Sequence, residues 1–214
     1  MSDIASGIKP YYEERGIKIY HGDCREILPE LGRFDLLLTD PPYGIGIAAN
    51  PVRQAHAVSD WDNSVVSEEL LNDSIGLCAE QVIWGGNYFK LPPSQGFLVW
   101  DKMQPQELTL SMCEMAWISR QQPAKMFRRS VTSYLKEHPT EKPLDLFKWC
   151  LSLFPTAKTV LDPFLGSGTT LVAAKAMGLA AVGVEREEKY CEIAANRLRQ
   201  EVLDFEALET RRTP

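Results

Sequence analysis

The sequence predicts an α/β domain, with a mostly parallel sheet, helices over both faces and an antiparallel hairpin at one end. Three observations predict it. Seven short apolar or β-branched runs recur along the chain, most of them bounded by Gly, Pro or Asp. Helical patterns stand between several of these runs, and strands that alternate with helices make parallel sheets covered on both sides. The fourth and fifth runs are separated by only about a dozen residues without a strong helical pattern, which suits a hairpin better than a crossover.

The seven runs are Ile17–Tyr20, Phe34–Thr39, Gln81–Trp84, Gly96–Trp100, Met112–Ile118, Thr159–Asp162 and Ala180–Val184. A helical pattern, "SEELLNDSIGLCAEQ", follows the second run. In "KPLDLFKWCLSLF", Leu144, Phe147, Leu151 and Phe154 fall at helical intervals behind Pro143. "TTLVAAKAMG" ends on Gly178, a helix-stop signal. "EKYCEIAANRLRQEVLDFEALE" predicts a long terminal helix with a kink. Residues 44–64 are polar and aperiodic, and a loop of that length in a compact domain is usually functional or disordered.

The 214 residues fit a single domain spanning 1–214, with 44% hydrophobic and 24% charged residues, as in an ordinary globular protein. No apolar run approaches the roughly 18 residues of a membrane helix, and "MSDIASGIKPYYEERG" has no apolar signal core. The expectation is a cytoplasmic protein with no membrane partner. Five scattered cysteines without CxxC or CxxH spacing predict reduced, mostly buried thiols and no structural zinc. The net charge of −6 excludes a general polyanion-binding coat. A local basic stretch remains, with Arg120, Lys125, Arg128, Arg129, Lys136 and Lys142 facing only Glu137 and Glu141.

Two stretches carry chemistry. In "LLLTDPPYGIGI" an apolar strand ends in Asp40, then Pro41, Pro42 and Tyr43. The prolines stop the strand and remove two backbone donors. In "TVLDPFLGSGTTLVAAKAMGLAAVGVE" a strand ends at Asp162, a turn at Gly166 and Gly168 opens a helix, and the next strand ends in Glu185, 19 residues after Gly166. This is a βαβ unit with an acid at the spacing that reaches a ribose hydroxyl. A phosphate-binding P-loop needs Lys after the last glycine, and none is present. A dinucleotide turn needs a third glycine, and position 171 is Leu171. The remaining ligand is a nucleoside without a pyrophosphate, and S-adenosylmethionine fits. A purely structural glycine turn is the competing reading.

Together these motifs resemble the amino-methylating, S-adenosylmethionine-dependent DNA methyltransferases. "DPPYG" is similar to that family's catalytic motif and "DPFLGSGTT" to its cofactor loop. "HPTEKP" is similar to the segment that precedes the cofactor loop in the permuted beta class, and the catalytic motif comes first here, as in that class. "HGDCREIL" places Asp23 where the family has a residue near the cofactor's adenine, and "FLVWDK" and "CEMAWIS" are similar to small phage-type DNA methylases. The resemblance covers roughly residues 17–198. It implies a Rossmann-like methyltransferase fold with a seven-stranded, mostly parallel sheet and a terminal hairpin. It also implies a circular permutation, with Thr159–Asp162 and Ala180–Val184 as the family's first two strands.

The resemblance further implies the chemistry. An exocyclic base amine is a poor nucleophile because its lone pair is delocalised into the ring. Acceptors on its protons, Asp40 and the Pro41 carbonyl, favour a pyramidal nitrogen. The fixed φ of Pro41 and Pro42 stiffens this geometry. Tyr43 stacks on a base flipped out of the duplex. No covalent nucleophile or metal is required. Asp23, Asp40, His138, Thr140, Lys142, Asp162, Pro163, Phe164, Gly166, Ser167, Gly168, Thr169 and Glu185 are the candidate cofactor residues. Asn87 either lines the base pocket or makes an ordinary turn, Lys102 either touches substrate or is solvated, and Trp100 and Trp117 are core candidates.

The expected partner is DNA, through phosphate contacts from Arg120, Lys125, Arg128 and Arg129. The beta class usually carries its recognition insert where only Ser119 to Glu137 lies here, and nineteen residues do not make a recognition domain. That leaves a short or relaxed site, recognition by loops 44–64 and 120–137, or a homodimer that completes the DNA surface. A cognate restriction enzyme is a further candidate partner. Asp rather than Ser before Pro-Pro-Tyr favours adenine N6 over cytosine N4. Methylation of RNA or of a protein amide is the alternative class, and those families usually carry Asn where Asp40 stands.

Overall fold

The computed structural model describes residues 7–44, 66–105, 107, 111–131 and 142–200. Among these, nine strands form one sheet and five α-helices accompany it. The strands are β1 (Tyr12–Glu14), β2 (Ile17–His21), β3 (Phe34–Thr39), β4 (Cys78–Trp84), β5 (Phe97–Asp101), β6 (Cys113–Ile118), β7 (Lys125–Arg128), β8 (Thr159–Asp162) and β9 (Ala180–Glu185). Their order across the sheet is β1-β2-β9-β8-β3-β4-β6-β5-β7. The helices are α1 (Cys24–Ile27), α2 (Glu68–Gly76), α3 (Leu144–Ser152), α4 (Thr169–Ala176) and α5 (Glu188–Arg199).

The centre of the sheet shows why the chain folds this way. In β3, Leu36, Leu37 and Leu38 are all fully buried. Successive side chains of a strand point to opposite faces. Leu36 and Leu38 join the core under α3, α4 and α5, whereas Leu37 joins the core that holds Ile27, Leu28 and Leu71. A strand buried on both faces belongs in the middle of a parallel sheet. β3 is paired in parallel with β8 through Leu36↔Val160 and Leu37↔Leu161, and with β4 from Phe34↔Cys78 to Thr39↔Ile83.

All seven expected strands are present. β8 and β9 come late in the chain yet take central places, joined in parallel from Thr159↔Ala180 to Asp162↔Gly183. That is the permuted arrangement. Two strands were not expected: β1, which folds back antiparallel on β2, and β7, which adds to β5 in parallel. The β5–β6 hairpin is antiparallel as expected, but β7 displaces it from the rim of the sheet. The first helical pattern also stops earlier than "SEELLNDSIGLCAEQ" suggests. α2 ends at Gly76, and β4 begins at Cys78 because its ladder to β3 takes over from there. α5 is followed to Arg199, and the rest of the expected terminal helix lies outside the described residues.

Direction of travel matters for the site. β2, β9, β8, β3 and β4 run parallel, so His21, Glu185, Asp162, Thr39 and Trp84 end at one edge of the sheet. β6 is antiparallel to β4, so its first residues reach the same edge. The chain leaves β8 toward β9 on one side, while β3 lies on the other. A doubly wound sheet binds ligands at such a switch point, beyond the carboxyl ends of its strands.

Candidate active site

A cavity of about 370 Å³ opens at that switch point. Asp23, Asp40, Pro42, Lys142, Asp162, Pro163, Phe164, Gly166, Ser167, Thr169 and Glu185 line it. These residues come from five separate stretches of chain. Gly168 supports the wall from behind, with φ +90, and a Cβ there would sit 2.6 Å from the Cβ of Ala194 on α5. Only glycine lets α5 approach the turn so closely. Of the other expected site residues, Pro41 and Tyr43 stand just outside the lining, and His138 and Thr140 lie outside the described residues. So do 45–64 and 132–137 of the expected recognition loops.

The glycine turn is held by polar contacts on three sides. Glu185 accepts the Gly166 N–H at 2.8 Å on one oxygen and the Glu187 N–H at 2.7 Å on the other. A carboxylate offers about four acceptor positions, so acceptor capacity remains beyond these two. Burial raises the Glu185 carboxyl, against the pull of the Glu187, Gly166 and Arg186 N–H groups. Asp162 is the hub between the two motifs. It accepts from the Thr39 hydroxyl at 2.7 Å, from the Phe164 N–H at 3.1 Å and from the Thr170 hydroxyl. It therefore ties the end of β3 to the glycine turn, and burial lifts its carboxyl to about 6. From α5, Arg197 donates to the Ser167 carbonyl at 2.9 Å and its hydroxyl at 3.0 Å, a clamp the sequence did not reveal. Asp23 caps α1 and is gripped by Arg25, which holds its carboxyl at about 2.

The strand tip is more crowded than its sequence suggests. The Tyr43 hydroxyl donates to Asp40 Oδ1, and Lys142 Nζ donates to Asp40 Oδ2 and, at 3.0 Å, to the Tyr43 oxygen. The Tyr43 ring stacks on Tyr88, with centroids 4.9 Å apart and planes 19° from parallel, and meets Phe89 edge-on. Beneath it, Gly85 has φ +67, and a Cβ there would fall 2.1 Å from Tyr43 Cε1. Burial raises the Asp40 carboxyl above its usual range, while Lys142 draws it down. Burial would strip the Lys142 proton, yet Asp40 and Glu114 keep the ammonium well above its ordinary value.

Lys102 is neither in contact with the cavity nor solvated. It pairs with Glu114, and its ammonium lies 5.3 Å from the Trp100 ring centre. Asn87 is exposed and outside the lining, as an ordinary turn residue would be. The signal beside it was the aromatic pair Tyr88-Phe89. Trp100 is buried and donates to the Arg129 carbonyl, and Trp117 is half-buried and donates to the Pro92 carbonyl.

The basic candidates divide. Arg120 is committed within the fold: it donates to Glu80 and to the Leu153 carbonyl, and it lies over the Phe154 ring. Arg129 pairs with Asp145 beside α3. Lys125 is exposed at the start of β7, and Arg128 is 69% exposed despite a 3.3 Å contact with Asp101. Four cysteines are buried and Cys113 is exposed, all unbridged. Among the described residues no His/Cys/Asp/Glu group could hold a metal, and no helix is long and apolar enough to cross a membrane.

A switch-point cavity bounded by a glycine turn, an acid from the following strand and an Asp-Pro-Pro-Tyr tip defines a Rossmann-like methyltransferase fold. Residues 99–196 match the family model described as DNA methylase. The chain is 26% identical to the Type II methyltransferase M.ScaI of Streptomyces caespitosus, across 94% of this chain and 88% of that protein. It is 26% identical to the Type II methyltransferase M2.DpnII of Streptococcus pneumoniae, across 90% of this chain and 93% of that one. The M1.HpyAVI–SAM complex superimposes with a TM-score of 0.59 at 22% identity, covering 86% of this chain and all of that one. PvuII DNA methyltransferase (cytosine-N4-specific) superimposes at 0.64 with 16% identity, covering 96% and 94%. These matches support an amino-methylating DNA methyltransferase.

Proposed function

We propose that this chain moves the methyl group of S-adenosylmethionine to the exocyclic amine of a flipped base in DNA, with adenine N6 the preferred target. The observation that carries the proposal is the position of Asp40. Its carboxylate stands at the tip of β3 on the wall of the cavity that the glycine turn and Glu185 enclose. The chain is read as a single methyltransferase domain.

The cavity suits this cofactor chemically. Asp23, Asp40, Asp162, Glu185 and Glu187 outnumber Arg25, Lys142 and Arg186 along the wall, so the lining favours a cationic ligand. Glu185 would hold the ribose diol, Asp23 and Phe164 the adenine end, and Asp40 and Lys142 the methionine end. When bound, the cofactor supplies an electrophilic sulfonium methyl.

The remaining chemistry falls to the protein. Asp40 accepts one amine proton of the base, and the Pro41 carbonyl accepts the other. The nitrogen lone pair is thereby aimed across the cavity, and holding it in line supplies much of the acceleration. Transfer of that methyl would form the carbon–nitrogen bond at the expense of its bond to sulfur, which would keep the electron pair. The amine then carries one proton too many, and Asp40, whose carboxyl burial raises, is placed to take it. Tyr43 rotates from Tyr88 to stack on the base. Such stacking is worth about 1–3 kcal/mol, comparable with the few kcal/mol that flipping costs.

Lys125 and Arg128 on the β7 edge are the phosphate contacts that remain available. The M.ScaI alignment spans 270 positions although this chain has only 214 residues, so that relative has stretches this chain lacks. That supports a reduced recognition surface. Incubation with labelled S-adenosylmethionine and mixed DNA, followed by digestion to nucleosides, tests the reading. N6-methyladenine is expected. N4-methylcytosine would replace the base assignment, and label in RNA or protein but not in DNA would overturn the substrate.

A further inference from the structure

We propose that Glu114 is a positioning residue for methyl transfer, bridging two lysines so that the Lys142 ammonium is held against Asp40. The inference rests on the function proposed above and adds a residue to it. Glu114 is the second residue of β6, in register with the buried Ala116 and Ile118 on an otherwise apolar strand face. Because β6 runs antiparallel to β4, this register places the acid at the edge of the sheet where β3 ends.

The contacts form a chain that ends at Asp40. Lys102 Nζ donates to Glu114 Oε1. Glu114 Oε2 receives Lys142 Nζ at 3.1 Å. Lys142 also donates to Asp40 and to the Tyr43 oxygen. An ammonium has three donors, and these three acceptors use all of them. Lys142 is thus a tripod whose side chain is 5% exposed, and it has no freedom to move unless one leg is released. Two carboxylates and two ammonium groups balance within the cluster. A buried cation left with one partner fewer is costly, and the remaining geometry loosens.

Tyr43, Lys142, Glu114 and Asp162 face Asp40, while Lys102 and Cys150 complete the charged and titratable surroundings of the cluster. Loss of a negative charge beside these groups lowers each of their proton affinities. Glu114→Gln is therefore expected to move both limbs of the kcat–pH profile to lower pH. It should also reduce kcat on the order of 10- to 100-fold, because a misplaced reacting group of about 1 Å carries that cost. KM for DNA and calorimetric affinity for S-adenosylmethionine should stay close to wild type, since Glu114 does not line the cavity. Glu114→Asp, which is too short to bridge both lysines, should recover part of the rate.

Lys102→Met is the second variant. It leaves Lys142 and Asp40 intact and frees the far end of Glu114, so a smaller loss in kcat alone is expected. Unchanged kcat and an unchanged profile in Glu114→Gln, with wild type active, would overturn the inference and leave the methyltransferase reading standing. A loss that appears only in thermal stability or cofactor affinity would overturn it too, by making Glu114 merely structural. Absence of transfer by wild type would overturn both.

Discussion

Replacing Gly85 with alanine tests the geometry of the strand tip through a single methyl group. Gly85 has φ +67, and its new Cβ would lie 2.1 Å from Tyr43 Cε1, where carbon atoms ordinarily stay beyond 3.4 Å. Something must yield by at least about 1 Å. The backbone is anchored, since the Gly85 N–H bonds to the Met115 carbonyl at 2.8 Å. The Tyr43 ring is the softer partner, so the new methyl takes the space it occupies over Gly85 and its hydroxyl is drawn off Asp40. The left-handed backbone adds a penalty of about 1–2 kcal/mol to folding. In activity, the loss of a placed stacking ring removes about 1–3 kcal/mol, or roughly 5- to 150-fold in kcat/KM for DNA. Gly85 does not line the cavity, so affinity for S-adenosylmethionine should not change. Steady-state methylation of a DNA duplex, with calorimetry of cofactor binding, measures both. Wild-type kcat/KM in a folded Gly85→Ala protein would refute the role given to the Tyr43 ring.

Other outcomes follow from the same contacts. Glu185→Gln sets an amide donor against one of the two backbone N–H groups that the carboxylate now accepts. Cofactor affinity should fall by about 1–3 kcal/mol, read as a roughly 5- to 150-fold weaker Kd by calorimetry. Asp162 is protonated more readily in the folded protein, near 6 against 3.8 for the free side chain, so its favourable contribution is complete below 3.8 and lost as pH rises through 6. Wild type should therefore gain on the order of 3 kcal/mol relative to Asp162→Asn between pH 7 and pH 4, measured by urea unfolding. Lys125→Ala and Arg128→Ala should each weaken DNA binding and flatten its salt dependence by about one ion, whereas Arg120→Ala should chiefly lower thermal stability.

The parts legible in the sequence are those whose neighbours in space are also neighbours in the chain. The glycine turn, the acid 19 residues on and the Asp-Pro-Pro-Tyr tip are local patterns, and the structure gathers them at one cavity. The triple leucine of β3 likewise marked an apolar strand, which the structure buries on both faces. What escaped depends on long-range pairing. β1 and β7 are short polar pieces that become strands only because β2 and β5 offer open edges. Nothing local in the sequence marks Arg197, which meets the glycine turn only because α5 packs against it, 30 residues on from Ser167. Nothing local in the sequence marks Glu114, and only the antiparallel return of β6 sets it beside Lys142. Arg120 read as a free phosphate ligand because Glu80 and Leu153 lie about 30 to 40 residues away in sequence.

The central claim is that the Asp40 carboxylate, beside a cofactor cavity, drives methyl transfer to a base amine. The most direct measurement compares wild type with Asp40→Ala under identical conditions. Each is titrated with S-adenosylmethionine by calorimetry, then incubated with labelled cofactor and DNA before digestion to nucleosides. The account predicts that wild type yields an N-methylated base and that the variant binds cofactor but yields none. Cofactor binding without an N-methylated base from wild type, or equal methylation by the variant, would contradict it.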